Sequence, residues 1–230
     1  MPGTLGLMCK RLVIPEQEDA EKEVSVVQPW WKFSVRFNVA VTHRVPVARL
    51  HNKETEGVMM RWGYVPPPDR EPPATLGAAM VRSDAVLASL DYRSAWLYGQ
   101  RCVIPLAGFY VWHLNESGVS QPFYVRLVNR AVFGVAALWE RTVLEEGEDV
   151  IESCALLTVP ANRLLAEIDD DRQMPAILHR EDYDEWLSCT AAKAQSLLRP
   201  YPLERMVTHP VGPRVNYLEF DDPQLIRPAV

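Results

Sequence analysis

The chain has four cysteines, Cys9, Cys102, Cys154 and Cys189, but no two stand close together and no CxxC spacing occurs. That excludes a zinc ribbon and a disulfide framework. None of the five histidines falls in an HxH or HExxH pattern, so no metal and no other cofactor is expected. No apolar run approaches the roughly 18 residues that a membrane-crossing helix needs. The first residues also lack the basic-then-apolar order of a secretory signal. The expectation is a cytoplasmic protein with no membrane partner. An excess of positive charge is missing as well: the net charge is −6, which argues against a surface coated for phosphate binding.

What is present fits one globular domain over residues 1–230, with 48% hydrophobic and 23% charged residues. Charge is unevenly placed. From Trp30 to Arg101, ten Lys/Arg stand against six Asp/Glu, leaving −10 on the rest of the chain, a pattern that predicts a confined basic groove. Alternating apolar and polar residues predict strands over 33–39, 45–49 and 58–62, then over 101–105, 108–114, 122–128, 132–139 and 153–159. Residues 16–23 read as an acidic loop or short helical turn, and the prolines of 66–73 as an irregular crossing loop. Helical spacing marks 83–98, with Ser83 as its cap, and 161–168, 180–188 and 191–198. Strands first and helices mostly later predict an α+β fold with a mainly antiparallel, barrel-like sheet and flanking helices. Cys102 and Cys154 lie inside apolar strand-like runs and read as small core residues.

Five phrases then occur in a fixed order: WGYVP (from Trp62), RCVIPLAGFYVW (from Arg101), LTVPAN (from Leu157), MPAIL (from Met174) and LLRPYP (from Leu197). Met8-Cys9-Lys10-Arg11 precedes them. In this order and spacing they resemble the SOS-response-associated peptidase (SRAP) family over nearly the whole chain. The resemblance implies an SRAP-like domain that binds single-stranded DNA and recognises abasic sites in the response to DNA damage.

It also implies chemistry for Cys9. In that family the cysteine follows the initiator methionine and becomes the first residue once the methionine is removed. An α-amine titrates near 8 and a thiol near 8.5, so both are partly reactive at neutral pH. The amine condenses with the aldehyde of an open abasic sugar, and the thiol closes on the imine to give a thiazolidine. Seven residues stand ahead of Met8 here. If translation begins at Met8, residues 1–7 are a leader outside the protein and Cys9 becomes N-terminal. If it begins at Met1, the Cys9 nitrogen is an amide and forms no imine.

The resemblance assigns DNA contacts to Arg11, Asn38, Trp62, Arg82, Thr158 and Asn162, with Trp62 as a stacking platform and Arg82 and Arg11 as phosphate holders. Three of the family's supporting groups are replaced. Its orienting asparagine is Met80, and its proton-shuttling glutamate is Val111 within Gly108-Phe109-Tyr110-Val111-Trp112. Counting back from Pro175 puts Asp171 at its histidine position. As the stand-in for a catalytic carboxylate, Val111 is expected to line a concave site, not the core. Alternation puts His113 on the same strand face and makes it a candidate substitute. Three readings follow: covalent capture of abasic DNA through Cys9, noncovalent binding of DNA or a partner by a paralogue that has lost the chemistry, and a cysteine-dependent, self-processing peptidase.

Overall fold

Apolar residues at every second position give most of the chain its strands, and the computed structural model describes residues 10–67, 78–115, 117–143 and 150–229. In chain order the elements are β1 (Arg11–Ile14), α1 (Gln17–Val24), β2 (Gln28–Pro29), β3 (Arg36–Ala40), β4 (Arg44–His51), β5 (Glu54–Trp62) and β6 (Met80–Arg82). Next come α2 (Leu90–Leu97), β7 (Arg101–Leu106), β8 (Gly108–Leu114), β9 (Ser120–Leu127), β10 (Phe133–Val143) and β11 (Val150–Pro160). The last are α3 (Arg163–Ala166), β12 (Gln173–Pro175), α4 (Tyr183–Ser188), α5 (Ala191–Leu197) and β13 (Met206–Pro210).

Strands β11, β10, β7, β4 and β5 pair in that order, and β5 pairs back onto β11 to close a five-stranded barrel. The closing pair is parallel, Ser153 opposite Arg61 and Cys154 opposite Trp62, while the other barrel pairs are antiparallel. Closure leaves these strands without a free edge. The second sheet runs β13-β9-β8-β1-β3. The fold is α+β, as expected, with the barrel at its centre.

Packing explains the burial pattern. All six residues of β7 are buried, because one face lines the barrel and the other meets α4, whose Trp186 donates its indole N–H to Cys102 O at 2.9 Å. Cys102 and Cys154 are free and buried, and burial pushes both thiols up, so neither is a nucleophile. A smaller cluster of Val13, Tyr110, Trp112, Tyr124, Val211, Val215 and Leu225 seals the second sheet against the C-terminal segment. At Gly57 a Cβ would come within 2.6 Å of the Trp31 ring; only glycine lets that buried indole lie on the barrel wall.

Two local expectations need correction. The helix expected over 83–98 starts only at Leu90, capped by Ser89, whose hydroxyl accepts from Asp91 N–H at 3.3 Å. Ser83 stands seven residues before that helix, and its N–H donates to Thr158 O at 2.9 Å, extending the pairing of β6 with β11. The acidic stretch 16–23 forms a full α1, with Ala20 and Val24 buried. Most of the crossing loop expected over 66–73 lies outside the described residues, from 68 on. Among those described, no helix is long and apolar enough to cross a membrane.

Candidate functional site

Arg82 is presented by β6. Its parallel pairing puts Met80, Val81 and Arg82 opposite Leu156, Leu157 and Thr158. Alternation buries Val81 and turns Arg82 out. The guanidinium grips Asp84 with two hydrogen bonds, Nε to Oδ1 at 3.0 Å and Nη2 to Oδ2 at 2.6 Å. The pair is exposed; Asp84 holds the guanidinium's pKa up and is itself held down by it. Carboxylate and phosphate present the same pair of oxygens to such a fork. As an exposed surface pair, the Arg82–Asp84 bridge is weak enough to exchange Asp84 for another such group.

The start of β1 is the second part. Arg11 is half-buried, stands opposite Ala40 and donates to Lys10 O at 3.0 Å. Burial lowers its pKa from the ordinary guanidinium value. His43 is close by: it is lowered first by burial and then by Arg36 and Arg11, against a smaller opposing pull from Asp221. Cys9 itself lies outside the described residues. β1 runs antiparallel to β8, Leu12 opposite Phe109 and Val13 opposite Gly108, so its N-terminal end lies toward the His113 end of β8.

At that end the structure brings His113 close to a residue the sequence did not single out, Asp169. His113 Nδ1 lies 3.1 Å from Ile168 O, next to Asp169. Asp169 is only 3% exposed. Its Oδ1 accepts from Asp171 N–H at 3.0 Å, whereas its buried Oδ2 has no hydrogen-bond partner. Burial, opposed by the Asp171 N–H bond and aided by the charges of Asp171 and Asp170, pushes its pKa up to about 6. Asp171, expected at the family's histidine position, is exposed and contributes its backbone to this turn. The carboxyl poised to give or take a proton near neutrality is Asp169.

Four other expected contacts have structural roles. Trp62 is fully buried and donates its indole N–H to Ala79 O at 2.9 Å; no base can stack on it. Asn38 is 1% exposed and donates from Nδ2 to Tyr217 O and Phe220 O, at 3.0 and 2.9 Å, which ties β3 to the C-terminal segment. Thr158 is buried with its hydroxyl on Gln173. Asn162 caps α3, accepting from Leu165 N–H at 3.1 Å, and donates to Tyr201 O at 2.8 Å. Val111 is also a correction. It is 1% exposed and joins Phe109 in the main core, with Met80 packed against the same cluster. Apolar side chains fill the place expected to be a concave polar site.

The basic segment is likewise partly internal. Arg49 is held by Glu56 at 2.6 Å and Glu152 at 2.7 Å. Arg101 is buried on Trp186 O at 2.7 Å. Among the described residues, no three His, Cys, Asp or Glu side chains are placed to hold a metal ion.

A closed five-stranded barrel flanked by a second sheet, displaying an arginine on a short parallel strand, defines an α+β barrel protein with a shallow surface site. The chain belongs to the SOS response associated peptidase (SRAP) family, which it matches over residues 8–218. It is 27% identical over 225 residues to the abasic site processing protein YoqW of Bacillus subtilis, covering 95% of this chain and 99% of that one. To the abasic site processing protein HMCES of Gallus gallus it is 28% identical over 199 residues, 74% of this chain and 56% of that one. A crystal structure of a protein from Bacteroides thetaiotaomicron shares the fold with a TM-score of 0.84 at 22% identity, over 96% of this chain and all of that one.

Proposed function

We propose that this protein binds single-stranded DNA, recognises abasic sites in it during the response to DNA damage, and captures them through Cys9 when that residue is N-terminal. The observation that carries the reading is family membership over residues 8–218, the span that holds Cys9, together with relatives named as abasic site processing proteins. The displayed Arg82 fork supports the phosphate contact. The same reading places the protein in the cytoplasm.

In the capture step the Cys9 amine adds to the sugar aldehyde, and the carbinolamine loses water to become an imine. The thiol then adds to the imine carbon, forming the C–S bond while the nitrogen takes a proton. Asp169 supplies and removes the protons. Its support is the unpaired, buried Oδ2, a pKa of about 6 and a position beside the His113 end of β8, the end toward which the N-terminus of β1 lies.

A second reading, noncovalent binding by a paralogue without the chemistry, is favoured by the burial of Val111 and the packing of Met80. Both readings share the DNA contact, and fluorescence anisotropy tests that contact. Affinity should favour single strands over blunt duplex and fall as salt rises, with a shallow slope from few phosphates. Arg82→Ala should weaken binding, and Asp84→Asn, which frees the guanidinium, should strengthen it by up to about fivefold. Equal affinity for duplex, or an Arg82→Ala variant that binds as the parent does, contradicts the DNA reading.

A further inference from the structure

Two adjoining clefts, of about 510 and 440 Å³, meet at Lys32, Arg44 and Met59 and form one groove across the outer face of β4 and β5. Its outer end carries Trp30, 72% exposed. Its inner end carries Phe33, Arg36 and His43. The construction explains the exposure of that indole. β2 pairs with β5, Gln28 opposite Glu56 and Pro29 opposite Gly57. Of the two adjacent tryptophans, Trp31 turns in over Gly57 and donates to Glu21 Oε1 at 3.0 Å. Trp30 is thereby left facing out, on a backbone fixed by its buried neighbour. The indole is held in a fixed place with its face open to solvent.

The charges of the groove are not internally matched. Glu152 is engaged by Arg49, and Asp221 is bound to Arg36. Lys32 and Arg44 form no salt bridge among the described residues, and Arg44 is held in place by its own hydrogen bond to Met59 O at 2.6 Å. On a chain of net charge −6, two unneutralised cations beside an exposed aromatic make a local anion track with a ring attached. Single-stranded nucleic acid has the matching chemistry, since phosphates follow the cations and any base stacks on the ring. The groove also leads to the site. Ala40 N–H donates to His43 Nδ1 at 3.3 Å, Ala40 stands opposite Arg11, and Arg11 is near enough to lower the pKa of His43.

We propose that this groove is a second DNA contact, in which the strand leaving the abasic nucleotide runs from Arg11 past His43 and Arg44 and stacks one base on Trp30. The proposal rests on the DNA-binding reading above and assigns the platform role to Trp30, in place of the buried Trp62. It makes the protein a reader of flanking strand as well as of the lesion.

The test compares two abasic single-stranded oligonucleotides by anisotropy: one covering only the lesion and its neighbours, the other extended to roughly 12 nucleotides. Trp30→Ala should weaken binding of the long strand about tenfold, within the range for one stacked base, and leave the short one unchanged. Trp30→Phe should restore most of the loss. Arg44→Ala should lower the salt slope on the long strand by about 0.7, the share of one single-strand phosphate. Trp30 and Arg44 are exposed, and unchanged melting temperatures will show that both variants fold. Parental affinity for the long strand in Trp30→Ala, while Arg82→Ala binds weakly, overturns the groove and leaves the DNA reading standing. Failure of the parent to bind either strand overturns both.

Discussion

Val111→Glu should lower the melting temperature by roughly 10 °C, because a carboxylate placed there would be buried among apolar side chains at a cost of several kcal/mol. Val111 is 1% exposed and packs in the main core with Phe109. Restoring the family's glutamate alone should therefore not speed capture. A thermal melt decides the matter: a variant as stable as the parent would mean that Val111 borders a wet cavity. Because Met80 packs against the same cluster, a polar pocket here requires replacing both residues.

Asp169→Asn should stabilise the protein and slow abasic-site capture, two effects that a merely structural residue would not combine. Its carboxyl is raised from 3.8 to about 6, so the native state holds this proton more tightly than the unfolded chain does. The sign follows: below about pH 4 both states are protonated and there is no penalty, while between 4 and 6 stability falls as pH rises. At neutral pH the penalty amounts to about 3 kcal/mol, and asparagine removes it. The same change removes the proton carrier, which should slow capture by about 100-fold and abolish the rate's dependence on pH near 6. Asp171→Asn should change both quantities only slightly, since that side chain is exposed and its charge is a minor part of what raises Asp169. A destabilised Asp169→Asn with unaltered capture would assign the proton transfer elsewhere.

The longer elements were legible because their period is long enough to read. β7 to β11 fall within a few residues of the expected strands, and α3 and α5 start at their caps, Asn162 and Thr190. The short strands were not. β1, β6 and β12 are of three or four residues, too few to show a period, and exist because a partner strand takes up their backbone groups. Barrel closure through Cys154 and Trp62 is a contact between distant segments that no local pattern encodes. At the site, residue identity was readable and side-chain direction was not. The WG phrase marks Trp62 but does not say that its indole turns inward onto Ala79 O. Three consecutive aspartates, Asp169 to Asp171, look alike in sequence. What separates them is the end of α3, where Asp169 N–H donates to Leu165 O and the carboxylate is drawn into the fold. The exposed Trp30 left a weak signal, one of two adjacent tryptophans beside a lysine, and only the inward turn of Trp31 identifies which is free to stack.

Covalent capture through the Cys9 amine and thiol is read directly on a denaturing gel. A chain beginning at Met8, with that methionine removed and the N-terminus verified by intact mass, is mixed with an abasic single-stranded oligonucleotide and sampled over time. The account predicts a band of one protein joined to one oligonucleotide that survives heating in detergent. It should be absent from Cys9→Ala and from a chain beginning at Met1, whose Cys9 nitrogen is an amide. No such band from the Met8 chain, or an equal band from Cys9→Ala, would contradict it.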